Sequence, residues 1–250
     1  MTKENRIISF THSGNVGDII AGLTVLASFY HPDSIRKDTS TKSNLYLTLG
    51  PLMNEKMASI LIPLMEKQPY INKCEVFNGT QHYDLNLDNF RKIAPLKYDF
   101  LSSVHLGKFH RFWNLAEPWI FNIEPVYVND IILNRTKRYH GKLDYYTLCK
   151  KYKDRITFIG LKDEHEHFCN LFHVNIKWHE TKDLLEAAKV IAGSKLYIGN
   201  QSVCWWITEA MKHPRLLEVC ETVPNSMPVG KDGHCDWEDE YFKLIADYLK

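Results

Sequence analysis

Residues 6–27 carry the pattern that most restricts the fold of this chain, because a strand, a tight loop and a helix follow one another there. Residues 6–10 form a short apolar run typical of a buried parallel strand. Residues 12–17 are small and polar, and apolar side chains then recur at helical spacing as far as Ala27. In open α/β sheets, ligands bind at such a junction. The pattern therefore predicts a parallel sheet with a ligand site at its carboxyl edge.

Three residues of this junction are candidates for the site. Gly14 and Gly17 allow the backbone to approach a ligand closely. Asp18 stands where the loop becomes helix, so its carboxylate can face whatever the loop holds. A structural explanation is equally open, in which Asp18 caps the helix and the glycines only form the turn.

Strands and helices alternate along the rest of the chain in two series. The first has predicted strands at 45–49, 74–77 and 83–87, and a helix at 53–65 that Pro63 kinks or ends. The second begins near residue 129, with strands at 131–133, 156–160, 195–199 and 216–219 and helices at 143–152, 164–172, 181–192, 203–211 and 236–249. This alternation predicts parallel, doubly wound sheets. We therefore expect two Rossmann-like α/β domains, residues 1–129 and 130–250.

Residues 91–125 are harder to assign. The segment contains two tryptophans and four phenylalanines, and three prolines interrupt it. We expect helical pieces that pack over the sheet or line a pocket, core packing being the more common role of such side chains.

The composition argues against several classes of protein. A net charge of +1 does not suit a protein that binds nucleic acid or membrane over its whole surface, and 44% apolar residues can fill real cores. The six cysteines form no C-x-x-C pair, which favours buried free thiols in a reducing compartment. The first residues have no apolar signal core, and no run of about 18 apolar residues follows. We therefore expect a soluble, cytoplasmic protein without stable membrane insertion.

Basic residues cluster at the start of the second series. Residues 131–155 contain eight basic and two acidic side chains, eight minus two giving a local excess of six. Most of the lysines fit a solvated face. Arg135 and Arg138 differ, because they follow a buried strand at the end where ligands bind, and arginine suits bidentate phosphate contacts. Lys162, just after the strand that ends at Gly160, can add charge.

A second strand–loop–helix junction lies at residues 195–211. The strand feeds Asn200, Gln201 and Ser202, and the following helix offers unpaired amides as an anion site. Trp205 and Trp206 are adjacent, so one can pack into the core while the other approaches the ligand or the domain seam. A loop that merely turns, with both tryptophans buried, is the structural alternative.

The two junctions together resemble the heptosyltransferase-like family, glycosyltransferase family 9. That family opens with a strand and a loop ending in Gly-Asp before the first helix, and Gly17-Asp18 match it. The family's second signature is a helix, a strand ending Phe-Val-Gly-Asn and an Asp-Ser-Gly-Pro loop, which residues 183–202 follow in form. The resemblance implies the GT-B architecture, in which two Rossmann-like domains face each other across a cleft. It also implies that the first domain binds the acceptor and the second the nucleotide sugar.

The second loop departs from the family pattern in three ways. Gln201 replaces the acidic residue, Val203-Cys204 replace Gly-Pro, and Trp205-Trp206 stand where the family has smaller residues. These departures do not support an ADP-heptose donor, and they leave the donor nucleotide and sugar open.

The resemblance implies an inverting glycosyltransferase that moves a sugar from a nucleotide-diphosphate sugar to an acceptor hydroxyl, with Asp18 as the general base. The candidate donor-binding residues are Gly14, Asn15, Gly17, Arg135, Arg138, Lys162, Asn200, Gln201 and Ser202. No convincing D-x-D loop is present, so we expect a metal-independent reaction without a cofactor. The acceptor stays open between a glycan, a nucleic acid and a protein.

Two alternatives to glycosyl transfer remain. The Asn15-x-Gly17-Asp18 loop also resembles the opening of polysaccharide pyruvyl transferases, so another transferase or an epimerase on the same scaffold is one of them. A non-catalytic nucleotide-binding module is the other, and the altered 201–206 loop favours it.

Overall fold

The structure, a computed structural model, describes residues 6–30, 41–92, 100–238 and 240–250. The strands within these ranges are β1 (Ile7–His12), β2 (Lys42–Leu47), β3 (Ile71–Val76), β4 (Leu85–Asn86), β5 (Ile131–Asn134), β6 (Ile156–Ile159), β7 (Lys177–His179), β8 (Leu196–Asn200), β9 (Arg215–Glu218) and β10 (Gly233–Cys235). The α-helices are α1 (Val16–Tyr30), α2 (Glu55–Glu66), α3 (Leu101–Lys108), α4 (Tyr145–Tyr152), α5 (Lys162–Phe172), α6 (Leu184–Ala192), α7 (Val203–Met211) and α8 (Tyr241–Tyr248). A 3-10 turn spans Leu87–Lys92.

The strands form two parallel sheets, as predicted. The first has the order β3-β2-β1-β4 and the second the order β10-β9-β8-β5-β6-β7. In each sheet the chain first winds one way, from β1 to β3 or from β5 to β7, and then crosses to the other side. Loops diverge at that reversal, which opens the crevice where α/β sheets bind ligands. The reversals lie between β1 and β4 and between β5 and β8.

Helix α1 connects the two halves of the molecule. It packs against α3 on one side and against α7, from the second sheet, on the other. Eleven of its residues are buried, including Thr24 and Ser28. A helix that is apolar almost all round is a buried one, so α1 belongs to a hydrophobic core shared by both sheets.

The helical pieces expected for residues 91–125 are confirmed at α3 (Leu101–Lys108), whereas the segment after α3 is not helical. Residues 109–126 are irregular, and their backbone bonds to both halves. Trp119 is fully buried, its Nε1 donates to the carbonyl of Ile20 at 2.9 Å, and its amide donates to the carbonyl of Ala210 at 2.8 Å. Trp119 thus lies in the core between the sheets, whereas Phe112 is 81% exposed. Residues 93–99 of the predicted segment lie outside the described residues.

Several predicted boundaries differ from the structure. Pro63 does not end α2, which continues to Glu66. The helix expected from residue 181 begins at Leu184, because the Asp183 side chain accepts the Glu186 amide as its N-cap. The two edge strands β7 and β10 have only three residues each and were not predicted.

The predicted domain boundary lies close to the start of the second sheet. β5 begins at Ile131, directly after the expected boundary. The division into 1–129 and 130–250 stays a prediction.

Within the described ranges, no helix is both long and apolar enough to cross a bilayer. The cysteines are free, and all but Cys169 are buried.

Candidate functional site

A cavity of about 730 Å³ lies between the two sheets. Its walls come from loops that follow the carboxyl ends of β1, β2, β5, β6, β7 and β8. This volume is within the ordinary range for a small-molecule site. Of the predicted site residues, those that line it are Asn15, Gly17, Asp18, Arg138, Gln201 and Ser202.

Asp18 lies in the first turn of α1, where a helix dipole favours negative charge. Its Oδ2 accepts a hydrogen bond from Nη2 of Arg91, and the two side chains form an ion pair. The Asp18 side chain is 19% exposed and the Arg91 side chain 39%. Within the described residues, no amide of α1 donates to this carboxylate, so Asp18 does not act as a helix cap.

The loop before α1 is held by Asp88 of the 3-10 turn. Asp88 Oδ2 accepts the Ser13 amide at 2.9 Å and the Ser13 hydroxyl at 2.7 Å, and Oδ1 lies 2.9 Å from His12 Nδ1. Burial raises the pKa of Asp88, but the contacts with His12 and Ser13 outweigh it and bring the pKa to about 2. Asp88 is therefore an ionised anchor of the loop at neutral pH.

The two glycines of this loop face protein rather than open space. A Cβ at Gly14 would lie 2.6 Å from His12 Cε1 and 2.7 Å from Arg91 Nη2. A Cβ at Gly17 would lie 3.0 Å from Trp206 Cδ1. Gly14 does not line the cavity. Packing thus requires small residues at both positions, whichever ligand the loop binds.

The second junction places a helix N-terminus at the cavity. Ser202 caps α7 by accepting the Trp205 amide at 3.2 Å, and its hydroxyl donates to Asn134 Oδ1 at 2.7 Å. The amides of Val203 and Cys204 precede the first intrahelical bond and both residues line the cavity. This arrangement provides dipoles and N–H donors for an anion.

Asn200 does not line the cavity but fixes its rim. Its side chain is fully buried, donates to the carbonyls of Thr136 and Arg138, and accepts the Thr136 amide at 3.0 Å. These bonds tie the end of β8 to the loop after β5. Arg138 is exposed at the cavity wall, and Asn200 therefore holds the backbone of the segment that carries this cation.

Two of the predicted donor-binding residues, Arg135 and Lys162, do not line the cavity. Arg135 is buried and holds both carboxylate oxygens of Glu218, at 2.8 and 2.9 Å. Glu218 also accepts the Tyr145 hydroxyl at 3.0 Å. The guanidinium is engaged in this internal pair and is not in the cavity lining, because its partner lies on β9, two strands away from β5 in the sheet. Lys162 is exposed outside the lining.

Glu164 is a cavity residue that the sequence analysis missed. It follows Gly160, whose φ of +120° is accessible mainly to glycine, and its Oε2 accepts the Leu161 amide at 3.3 Å. Burial raises the pKa of this carboxyl. The spacing Gly-x-x-x-Glu after a buried strand was the available signal, at the same sheet edge as the other candidates.

The two adjacent tryptophans divide their roles. Trp205 is fully buried, and its Nε1 donates to the Ser226 carbonyl at 2.9 Å. Trp206 lines the cavity, packs 5.6 Å from the Phe100 ring and contacts the loop at Gly17. Trp206 thus connects the two junctions.

The described ranges contain no group of three or more histidine, cysteine, aspartate or glutamate side chains arranged to hold a metal ion.

Comparison with known proteins identifies the fold. No protein-family model matches the chain, and no curated protein sequence matches it either. Among solved structures, a family 9 glycosyl transferase from Veillonella parvula shares 11% identity at a TM-score of 0.56, covering 87% of this chain and 81% of that one. The E. coli heptosyltransferase WaaC with ADP shares 11% at 0.60, covering 92% of each chain. WaaC with ADP-2-deoxy-2-fluoro heptose shares 10% at 0.53, covering 84% and 88%. At these identities the likeness establishes the GT-B-like fold of family 9 heptosyltransferases.

Proposed function

We propose that this protein is an inverting glycosyltransferase that uses a nucleoside-diphosphate sugar and needs no metal. One observation carries the proposal. Asp18, the N-terminus of α7 and Arg138 line the same cavity, although they come from opposite sheets. A carboxylate facing an anion site across a crevice is the arrangement that a direct displacement at a sugar carbon requires.

In this reaction the acceptor hydroxyl oxygen attacks the anomeric carbon from the face opposite the diphosphate. A new C–O bond forms as the bond to the diphosphate oxygen breaks, and its electron pair leaves with the nucleoside diphosphate. The hydroxyl proton passes to Asp18. General-base assistance of this kind typically contributes about 10²–10⁴-fold in rate.

The departing diphosphate needs positive charge and hydrogen-bond donors that are already in place. The amides of Val203 and Cys204, the dipole of α7 and the guanidinium of Arg138 supply them at the cavity wall. These groups perform the electrostatic work that a divalent ion does elsewhere, which supports the metal-independent form of the proposal.

The donor class is supported by two further observations. Glu164 places a hydrogen-bond acceptor in the cavity, which suits sugar hydroxyls rather than phosphate. WaaC, whose fold this chain resembles, has been solved with ADP and with a fluorinated ADP-heptose. We therefore propose a nucleotide sugar as the donor, with its base and sugar open, and no separate cofactor.

The acceptor would enter from the side of the first sheet. Pro51, Leu52 and Met57 line this wall, and Leu52 and Met57 are 47% and 37% exposed. Such a wall offers apolar contact to an acceptor beside Asp18. A glycan remains the proposed acceptor class, with nucleic acid and protein as alternatives to include in the assay.

The test uses ADP, GDP, UDP and TDP sugars. Tryptophan fluorescence measures binding of each nucleoside diphosphate, because Trp206 lines the cavity. Release of nucleoside diphosphate, with and without excess EDTA, measures turnover. Turnover that survives EDTA supports the proposal, and dependence on a divalent ion contradicts its metal-free part. Binding without turnover identifies a non-catalytic module, transfer of another group identifies a different transferase, and absence of binding overturns the donor site.

A further inference from the structure

We propose that Arg91 is the positioning residue for Asp18, holding Oδ2 so that Oδ1 receives the proton of the acceptor hydroxyl. The inference rests on the proposed glycosyl transfer and adds a residue to it. It also assigns a role to the 3-10 turn after β4, which lies across the reversal of the first sheet from the loop after β1.

The contact between the two side chains is specific. Arg91 Nη2 donates to Asp18 Oδ2, from a position 73 residues further along the chain. The guanidinium lies 4.7 Å from the centre of the Phe90 ring, a cation–π arrangement that restricts where it can point. Gly14 leaves room for Nη2, since a Cβ there would lie 2.7 Å from it. The base is therefore oriented by a side chain that is itself held on two sides.

The 3-10 turn binds the loop after β1 at both of its ends. At one end Asp88 binds the amide and hydroxyl of Ser13, and at the other Arg91 binds Asp18. The turn is fixed to the core by Leu87 and Phe90, which are 0% and 1% exposed. Core packing thus fixes the position of the turn, and the turn in turn fixes Arg91 and, through it, Asp18.

Such orientation has a kinetic consequence. A free carboxylate rotates and offers either oxygen to the solvent, whereas a general base must lie within hydrogen-bond reach of the proton it removes. A displacement of about 1 Å at a reacting group can cost on the order of 10²-fold in rate. Pairing Oδ2 with a cation leaves Oδ1 for the acceptor hydroxyl, and Asp18 lines the cavity. This is the general arrangement in which a third group orients the base.

The experiment compares Arg91→Ala and Arg91→Lys with Lys92→Ala, a matched control because Lys92 is an exposed cation of the same turn. We expect Arg91→Ala to lower kcat about 10–100-fold, as misplacement of the base predicts, with the Kd for nucleoside diphosphate unchanged. Arg91→Lys should recover part of the loss, and added methylguanidine should recover part of it in Arg91→Ala. Lys92→Ala should match the parent.

Three outcomes would overturn the inference. The first is Arg91→Ala turnover within twofold of the parent while Asp18→Asn remains inactive. The second is a loss of rate that follows a loss of nucleoside diphosphate affinity, which would make Arg91 a donor ligand. The third is a crystal structure of the parent with nucleoside diphosphate in which Arg91 has left Asp18 for the phosphate. A parent that binds the nucleotide without turnover contradicts the proposed function instead, and that crystal structure still decides the Arg91 contact.

Discussion

The loop after β1 and the loop after β8 follow the same local pattern but are supported in opposite ways. The first ends in a carboxylate and is held by charged side chains, Asp88 and Arg91, from the turn after β4. The second is held by amides and a hydroxyl, through Asn134, Asn200 and Ser202. Both feed a helix N-terminus, and the two helices pack against each other.

The difference shows that residues on or just after the neighbouring strand determine which chemical groups a strand–loop–helix junction exposes to the cavity. A loop held by neutral groups leaves its helix amides and an adjacent cation available to an anion. A loop held through a charged partner instead presents one oriented carboxylate. Two copies of one motif thus supply the two halves of the proposed displacement site.

The largest expected effect is on turnover and comes from the loop after β1. Asp18→Asn should lower kcat by about 10²–10⁴-fold, because it removes the proposed base while keeping the shape of the side chain. Steady-state turnover and nucleoside diphosphate titration measure the two properties separately, and affinity should be unchanged. Glu55→Gln is the matched control, since Glu55 is an acid in the first turn of α2 outside the cavity lining. Turnover of Asp18→Asn within a few-fold of the parent would place the base elsewhere.

The next effect tests the buried ion pair between Arg135, which follows β5, and Glu218 on β9. Arg135→Ala should lower the free energy of unfolding by about 3–5 kcal/mol, because it leaves Glu218 buried without its cation. Chemical denaturation measures this change. Lys137→Ala, which breaks an exposed pair with Asp163, should cost at most about 1 kcal/mol. Equal costs for the two variants would mean that the buried pair stabilises the fold no more than an exposed pair does.

Arg138→Ala should affect binding rather than stability. Loss of a charged hydrogen bond to phosphate is worth about 1.5–3 kcal/mol, which titration of nucleoside diphosphate would report as weaker affinity. Lys137→Ala again serves as the control, because Lys137 is a cation of the same loop outside the cavity lining. Unchanged affinity in Arg138→Ala would remove the cation from the proposed anion site.

The smallest effect concerns the contact between the loops. Gly17→Ala should lower the free energy of unfolding by about 1–3 kcal/mol, since the new methyl group meets Trp206 in a packed seam. Gly107→Ala, in α3 with open space around it, should raise stability by about 0.5–1 kcal/mol. A neutral or stabilising Gly17→Ala would show that the seam is loosely packed.

Sequence reasoning located both junctions but could not sort their residues. Arg135 and Arg138 both follow β5, yet Arg135 forms a buried ion pair with Glu218 on β9, whereas Arg138 lines the cavity. That partner is 83 residues away in the chain, and no local pattern announces it. Asp88 and Arg91 were missed for the same reason, because their partners are on β1 and α1.

The sequence by itself determined the alternation of strands and helices, and with it the two parallel sheets and the loops at their carboxyl edges. These follow from hydrophobic periodicity and glycine placement, which act over a few neighbouring residues. Only the tertiary structure decided which charged side chains are paired inside the protein and which line the cavity. The pairing of Asp18 with Arg91, the burial of Arg135 and the contact of Gly17 with Trp206 all join distant segments. Such contacts depend on how the strands are ordered, and strand order is a property of the assembled sheets.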